Sequence, residues 1–307
     1  MKISLRQIEV FDAVATCGSV TRAADSLNMS QSAASKALTD LQTVLGRQLF
    51  AHAKGRSLQI TDEGKRLRPV ARSLLSEIAE MVRAGDSHEL AGTLVIGATA
   101  TIAETMLPRL CAEFMALHPA VRMRIVCSNA GELFDQLSRF ELETALIEYF
   151  PDMEDVELVA WRTDELLLVA APDHPLASRR GLALADLATA RWCMRESWSS
   201  ISARLRYMLH EHAGQLDVVF ESTSNWAVRH AVLAGVGVGC LSRALVQSDI
   251  DHARLVPLDV PDFRYTRALS LARPRHIWRS RLVKSFDAFI LAHGDAPPGK
   301  PGHRMNR

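Results

Sequence analysis

One face of a helical segment near the start of the chain carries short hydrogen-bonding side chains plus one cation, and no acid. Its residues are Gln31, Ser32, Ser35, Lys36 and Thr39, together with Ser30 directly before them. The opposite face carries an apolar stripe of Ala34, Leu38 and Leu41. An ordinary solvated helix face is richer in Glu and Lys, whereas amides, hydroxyls and one cation suit base edges and phosphates. The pattern therefore predicts contact with nucleic acid.

Local charge around this segment favours a polyanionic partner. Residues 30–60 contain one acid, Asp40, whereas their basic residues are Lys36, Arg47, Lys54 and Arg56. Flexible cations fix position on a phosphate backbone and carry little sequence information, and base edges are met by shorter groups. We expect base contacts from Gln31 and Ser32. We expect phosphate contacts from Arg22, Lys36, Lys54 and Arg56, the last two of which could alternatively belong to a solubilising loop.

Hydroxyl and amide side chains also cluster later in the chain, each directly after a predicted strand or before a predicted helix. The clusters are Thr99-Ala100-Thr101, Ser128-Asn129, Trp198-Ser199-Ser200 and Thr223-Ser224-Asn225. In open α/β sheets a small ligand binds outside the carboxyl ends of the strands, close to helix N-termini. Each cluster alone could be simple helix capping. Their recurrence at corresponding strand ends predicts one ligand site.

The chemistry of these clusters indicates a ligand held by neutral donors and helix dipoles. No Arg stands within them, and Arg195 is the nearest cation, although it could equally be a surface residue. We therefore expect a small carboxylate or an inorganic oxyanion. Glu148, after the third strand, would oppose an anion or accept a hydrogen bond from an amine or hydroxyl. The identity of the ligand stays open.

The sequence contains no recognised motif for catalysis or for metal binding. It contains no G-x-S-x-G, H-E-x-x-H or G-x-x-x-x-G-K-[ST] pattern. His210 and His212 are two residues apart on a predicted helix, so their side chains cannot face one metal together. The five Cys are widely spaced without C-x-x-C, so neither a thiolate metal site nor a disulfide framework is indicated. We expect no catalytic residue, no metal and no cofactor.

The elements that must position these residues begin with three short helices over residues 1–46. Gly18 and Gly46 suit helix ends, and Ser19 and Ser30 suit N-caps. The tight turn before Ser30 is typical of a helix-turn-helix, and a polar turn between two short strands predicts a wing. Thr61 then caps a long helix whose apolar seam is compatible with dimerisation. From Gly92 strands alternate with helices, which favours parallel α/β units.

The length of 307 residues predicts about two domains. Lys and Arg total 36 against 35 Asp and Glu, so bulk charge attracts neither nucleic acid nor a membrane. No apolar run reaches the length of a membrane span, and the start mixes charged residues into its apolar positions, unlike a signal peptide. We expect a cytoplasmic protein without a membrane partner.

Several longer segments resemble a known family. SVTRAADSLNMSQSAASKALTDLQTVLGRQLF (19–50) and LQITDEGKRL (58–67) resemble the winged helix-turn-helix of LysR-type transcriptional regulators. GTLVIGAT (92–99) and AVLAGVGVGCLSRALV (231–246) fit the effector domain of that family. The resemblance implies an α+β multidomain chain: a DNA-binding domain, a dimerising linker helix and a two-lobed effector domain similar to periplasmic binding proteins. It also implies double-stranded promoter DNA and a small-molecule effector as partners, and homodimers that assemble into homotetramers.

The boundaries implied by the resemblance are 1–61 for the DNA-binding domain, 62–88 for the linker helix and hinge, 89–293 for the effector-binding domain and 294–307 for a disordered tail. Lobe 1 would comprise about 92–162 and 269–293, and lobe 2 about 163–268. Two departures from the family pattern are His52, where Arg is frequent, and Gln42, where Glu is common. We expect His52 to weaken one phosphate contact or to make it pH-dependent, and Gln42 to affect only local helix stability.

Two alternatives remain open at this point. Within the regulator class, Cys193 or Cys240 could act as a redox-sensing thiol, although no basic neighbour or close partner favours this. In a different class, the chain could be a solute-binding protein or an enzyme with an incidental helical N-terminus.

Overall fold

The computed structural model describes residues 2–52, 58–83, 89–139, 141–148, 155–197, 199–213, 216–275 and 279–295. Lys54, Arg56, Trp198, the expected hinge at 85–88 and residues 296–307 of the expected tail lie outside the described residues. Among the helices that are described, none combines the length and apolar character needed to cross a membrane.

The N-terminal unit consists of three helices and a two-stranded antiparallel wing. Its elements are α1 (Leu5–Cys17), α2 (Val20–Ser26), α3 (Gln31–Leu45), β1 (Phe50–His52) and β2 (Leu58–Ile60). Apolar side chains of α1 and α3, among them Phe11, Val14 and Leu38, pack into one core with the small Ala23 of α2. This packing buries the apolar stripe of α3 and turns its polar face outward.

Local sequence signals explain where these helices begin and end. The hydroxyls of Ser19 and Ser30 accept hydrogen bonds from the N–H groups of Arg22 and Ala33, at 3.4 and 3.2 Å. Gly18 and Gly46 close α1 and α3 with φ angles of 61° and 64°, a left-handed conformation that glycine adopts without steric cost. Sequence and structure agree on Gln31–Leu45 for the third helix.

The long helix α4 (Asp62–Arg83) follows the wing. Thr61 accepts the N–H of Gly64 at 3.1 Å, and a Cβ at Gly64 would lie 2.3 Å from the carbonyl oxygen of Leu49, so the wing packs directly on the start of α4. Arg68 and Arg72 both donate to Oδ1 of Asp12 on α1, at 2.9 and 3.1 Å. The close packing at Gly64 joins α4 to the wing, and the ion pairs with Asp12 join it to α1.

The C-terminal part is built on one sheet whose strands form two parallel sets joined by a long antiparallel pair. The first set is β3 (Gly92–Ala98), β4 (Val121–Cys127) and β5 (Ala145–Glu148), and the second is β7 (Arg191–Arg195), β8 (Asp217–Ser222) and β9 (Val238–Ser242). The joining pair is β6 (Val156–Ala170) and β11 (Tyr265–Pro274), with the short β10 (Val256–Pro257) beside β6. β11 borders the first set and β6 the second.

Helices cover the two halves of this sheet. They are α5 (Ala100–Thr105), α6 (Leu107–Leu117), α7 (Ala130–Ser138), α8 (Leu184–Ala188), α9 (Ser200–Ala213), α10 (Asn225–Leu233), α11 (Arg243–Asp251) and α12 (Arg281–Ala292). One apolar core surrounds Phe114, Trp161 and Phe286, and a separate one surrounds Trp192 and Leu205. Separate cores on the two parallel sets give the two-lobed arrangement that the sequence led us to expect.

The expectation of purely parallel α/β units was incomplete, because β6 and β11 are antiparallel to each other. The sequence predicts a strand only over the apolar run Leu166–Ala171, because the charged residues Glu157, Arg162 and Asp164 interrupt the pattern in the preceding part of β6. The pattern of residues 102–117 predicts one helical stretch, whereas the structure has two helices that meet at Met106, with a proline in the first turn of the second.

Candidate functional site

The α3 face, meaning Gln31, Ser32, Ser35, Lys36 and Thr39, is exposed along its whole length. Within the described part of the chain, Gln31 and Lys36 make no side-chain hydrogen bond or ion pair. Thr39 donates to the carbonyl of Ser35 at 2.9 Å, and the hydroxyls of Ser30 and Ser32 lie 3.1 Å apart. The amide and ammonium groups of this face are thus available to an external partner.

The other candidate DNA-contacting residues divide into two groups. Arg22 is exposed on α2, and its guanidinium donates to the carbonyl of Cys17 at the end of α1, which orients the side chain. Ser30 serves as the N-cap of α3, so its hydroxyl has a structural role in addition to any contact outside the protein. Lys54 and Arg56 lie outside the described residues, and their expected phosphate contacts stay predictions.

Gln42 has a tertiary role that the sequence analysis did not anticipate. Its Oε1 accepts the backbone N–H groups of Leu49 and Phe50, at 2.8 and 3.3 Å. Leu49 is fully buried and Phe50 begins β1, so this one amide joins α3 to the start of the wing. The expected effect on local helix stability alone was therefore wrong: Gln42 fixes the orientation of α3 relative to the wing.

A cavity of about 700 Å³ lies where the carboxyl ends of the two parallel strand sets face each other, and we call it the strand-end cavity. Thr99 follows β3, Ser128 follows β4 and Glu148 ends β5, whereas Arg195 ends β7 and Thr223 follows β8. The start of α9 forms a further wall. Parallel topology thus gathers residues that are far apart in the sequence.

Most of the predicted ligand-binding residues line this cavity. They are Thr99, Ala100, Thr101, Ser128, Asn129, Glu148, Ser199, Ser200 and Thr223. Ser224 and Asn225 do not line it, because Ser224 caps α10 through the N–H of Ala227 and Asn225 is buried behind Arg195. Trp198 lies outside the described residues. Several further lining residues were not predicted from the sequence, and three of them, Glu132, Glu196 and Arg267, are charged.

Arg267 is a cation of the cavity wall that was not predicted from the sequence. Its side chain is 5% exposed and donates from Nε to Asp164 (2.8 Å), from Nη1 to Glu148 (2.9 Å) and from Nη2 to Thr101 (3.0 Å). Asp164 also accepts the hydroxyl of Ser242 at 2.6 Å. Arg267 was missed because it lies in β11, which the sequence analysis did not assign.

Arg195 provides the second guanidinium of the cavity wall. The sequence left open whether it lies at the ligand site or on the surface, and the structure places it in the wall, largely buried. It is 10% exposed and holds Glu196 through Nε and Nη2, at 2.7 and 2.9 Å. Its Nη1 donates to Asn225 Oδ1 at 2.6 Å, and the amide of Asn225 donates to Glu104 of α5 at 3.2 Å. Asn225 thereby connects the second strand set to the first.

Thr99 differs from its neighbours in the cavity wall. The residue is 4% exposed, and its Oγ1 is buried without a hydrogen-bond partner among the described residues. It occupies the N-cap of α5, but its side chain makes no capping bond. A buried hydroxyl without a partner costs about 1–3 kcal/mol, so such a group is a candidate for contact with a ligand.

The two cysteines considered as redox sensors, Cys193 and Cys240, lack the features of a reactive thiol. Cys193 and Cys240 are buried, and burial raises the pKa of Cys193 to about 11 and that of Cys240 to about 12. The thiolate is the reactive form, so neither residue is activated near neutral pH. The thiol-sensor alternative therefore has no support in the surroundings of these two residues.

Comparison with known families matches the two parts separately. Residues 5–65 match the family described as "Bacterial regulatory helix-turn-helix protein, lysR family". Residues 87–295 match the "LysR substrate binding domain". The two matches together include the α3 face and the strand-end cavity.

Similarity to other proteins and to solved structures extends over nearly the whole chain. The uncharacterized HTH-type transcriptional regulator YeiE of Escherichia coli is 33% identical over 93% of this chain and 96% of its own length. The RuBisCO operon transcriptional regulator of Allochromatium vinosum is 31% identical over 95% and 97%. Full-length LysG of Corynebacterium glutamicum with its bound effector Arg has a TM-score of 0.69 at 19% identity, covering 94% and 97% of the two chains. The chain therefore belongs to the LysR family of bacterial transcriptional regulators, with an N-terminal helix-turn-helix domain and a C-terminal effector-binding domain.

Proposed function

We propose that this regulator contacts promoter DNA through the α3 face and that a small molecule in the strand-end cavity controls this binding. The observation that carries the proposal is the exposure of Gln31 and Lys36 on an acid-poor face, without internal partners among the described residues. In helix-turn-helix proteins the N-terminal turns of the second helix enter the major groove. Gln31 and Ser32 then meet base edges, while Ser35, Thr39, Ser30 and the cations Arg22, Lys36, Lys54 and Arg56 contact the backbone.

The effector in this proposal is a small carboxylate or oxyanion. Support comes from the unpartnered hydroxyl of Thr99, the hydroxyls of Ser199 and Ser200, and the first turn of α9, all at one cavity. Cavities of about 300–1,000 Å³ suit small-molecule ligands. The effector acts only as far as it binds one assembly state better than another, which shifts the population of DNA-competent states.

A homodimer through α4, further assembled into a homotetramer, is the proposed form on DNA. Val70 and Leu74 of α4 are 40% and 42% exposed, which is high for apolar side chains, and they leave an apolar strip along the helix. Pairing of two such helices removes this surface from water. A two-fold symmetric dimer matches a pseudo-palindromic DNA site.

The chain divides in this proposal as the sequence suggested, with boundaries at 61, 88 and 293. It acts in the cytoplasm, where its DNA partner is, and by binding rather than by catalysis. The alternative of a solute-binding protein or enzyme does not account for the exposed α3 face or the family of the N-terminal part.

The experiment that tests the proposal compares Lys36→Ala with Arg122→Ala, a charge-matched change on the exposed edge strand β4. A duplex is first selected from a random-sequence pool by the unmodified chain, and its affinity is measured at several salt concentrations. Loss of one phosphate contact reduces the slope of log affinity against log salt by about 1. We expect this change for Lys36→Ala and none for Arg122→Ala. If the salt slope of Lys36→Ala equals that of the unmodified chain, Lys36 does not contact a phosphate. Failure to select any duplex would refute the proposal.

A further inference from the structure

The two guanidinium groups of the strand-end cavity are already engaged by the chain itself. All three nitrogens of Arg195 donate to Glu196 or Asn225, at 2.6 to 2.9 Å. All three nitrogens of Arg267 donate to Asp164, Glu148 or Thr101, at 2.8 to 3.0 Å. A ligand anion that replaced these carboxylates would leave them buried without a partner, which is costly. A guanidinium has five N–H groups, so some donors remain, but the charges of Arg195 and Arg267 are already balanced by Glu196, Asp164 and Glu148. The arginines therefore do not offer an uncompensated positive charge to a highly charged anion.

Carboxylates outnumber guanidinium groups around the cavity. Its lining contains Glu132, Glu148 and Glu196 against Arg195 and Arg267. Burial, and after it the charges of Glu104 and Glu148, raise the pKa of the Cys127 thiol in the same wall, while Arg195 lowers it. A ligand that brings only negative charge meets repulsion in these surroundings, whereas a ligand that also brings a cation does not.

One carboxylate oxygen is placed to receive that cation. The side chain of Glu148 is 13% exposed, and its Oε1 accepts from Arg267. Among the described residues no donor meets its Oε2. Because an ionised carboxylate has acceptor capacity for several hydrogen bonds, an ammonium group of a ligand can donate to this second oxygen.

Acceptor atoms of a ligand find separate donors nearby. Thr99 lines the cavity and keeps a buried hydroxyl without a partner among the described residues. α9 has 14 residues and no acid in its first turn, so its first N–H groups and dipole are not compensated within the helix. Arg267 Nη1 lies 3.5 Å from Ser200 Oγ and 2.9 Å from Glu148 Oε1. The start of α9 and the Glu148 carboxylate therefore lie beside the same guanidinium nitrogen, close enough for one small ligand to contact both.

We propose that the strand-end cavity binds a zwitterion of the amino-acid class, whose ammonium group donates to Glu148 and whose carboxylate accepts from Thr99 and the first turn of α9. This inference rests on the proposed function, because it specifies the effector of the same cavity. It narrows the expected small carboxylate to one that carries a cationic group beside the carboxylate.

The test measures binding to the full chain by thermal shift and titration calorimetry. The probes are the common L-amino acids, with propionate, succinate, glutarate and 3-phenylpropionate as the des-amino partners of alanine, aspartate, glutamate and phenylalanine. Sulfate and phosphate represent inorganic oxyanions. We expect at least one amino acid to bind about tenfold or more tightly than its des-amino partner, the effect of one hydrogen bond between charged groups. A des-amino acid or an oxyanion that binds as tightly as any amino acid overturns the inference, as does the absence of amino-acid binding.

A variant pair assigns the ammonium contact. Glu148→Gln removes the charge of this side chain and keeps one oxygen that can accept from Arg267 Nη1. We expect Glu148→Gln to weaken binding of the amino acid about tenfold, whereas binding of the des-amino acid is not weakened because one repulsive charge is removed. Glu165→Gln is the matched control, because Glu165 pairs with Arg243 at 2.6 Å on the exposed surface. Unchanged amino-acid affinity in Glu148→Gln overturns the inference.

DNA binding by the same samples separates this inference from the proposed function. If the unmodified chain retains a salt-dependent affinity for its selected duplex while only anions bind the cavity, the inference fails and the proposed function stands. If no duplex is bound, the proposed function fails regardless of the ligand result.

Discussion

The α3 face and the strand-end cavity satisfy their polar groups in opposite ways. On the α3 face, Gln31 and Lys36 are exposed and make no internal contact within the described residues. In the cavity wall, Arg195 and Arg267 are almost fully buried and bonded to their neighbours. An exposed face costs little to leave unpaired, because water satisfies it until DNA arrives. A cavity must be largely satisfied by the protein itself, so the exception, Thr99, is the informative residue there.

This difference predicts that equivalent substitutions have very different effects on folding. Arg267→Met removes the partner of two carboxylates, Asp164 and Glu148, that are 2% and 13% exposed. A buried carboxylate that loses its cationic partner lowers the free energy of unfolding by about 3–5 kcal/mol, so this is the largest effect we expect. All five Trp lie beyond residue 160, so urea unfolding followed by Trp fluorescence reports on the C-terminal part.

Two control variants sharpen that comparison. Arg243→Met breaks an exposed pair with Glu165 and should cost less than about 1 kcal/mol. Lys36→Met, on the α3 face, should leave the same transition unchanged. Equal destabilisation by Arg267→Met and Arg243→Met would show that the Arg267 contacts do not hold the cavity together.

A second prediction concerns what holds the α3 face in place. Gln42→Leu removes the acceptor of the Leu49 and Phe50 N–H groups and should cost about 2 kcal/mol, with loss of amide exchange protection at both residues. Gln42→Glu keeps the acceptor and should preserve the protection. If both variants exchange like the unmodified chain, the orientation of α3 does not depend on this amide.

The third prediction compares two threonines within the cavity. Thr101→Val removes an acceptor from Arg267 Nη2 and should lower stability by about 1–2 kcal/mol. Thr99→Val removes a buried hydroxyl without a partner among the described residues and should raise stability by about 1–3 kcal/mol while abolishing the response to effector. Trp-monitored unfolding measures the first effect, and ligand-dependent DNA affinity measures the second. A Thr99→Val variant as unstable as Thr101→Val would mean that Thr99 has a structural role.

The same contrast explains which features of the α3 face and of the cavity were predictable from the sequence. The α3 face lies within ten consecutive residues, and its caps, Ser30 and Gly46, are local signals, so helix and exposed face were both predictable. The hydroxyl clusters of the cavity were predictable because each lies directly beside the end of a strand or the start of a helix. Arg267 was not, since its position depends on how β11 crosses the sheet, and the bond from Gln42 to the wing depends on tertiary packing.

The most direct test of this account places a carboxylate on the α3 face. Ser32 is the second residue of α3, and an acid there favours the helix dipole, so Ser32→Glu should fold at least as well as the unmodified chain. Against the phosphates and base edges of DNA the same charge is repulsive. Affinity for the selected duplex should therefore fall by at least about tenfold, the equivalent of about 1.4 kcal/mol, with thermal stability unchanged. Undiminished DNA affinity in folded Ser32→Glu would contradict the assignment of this face to DNA.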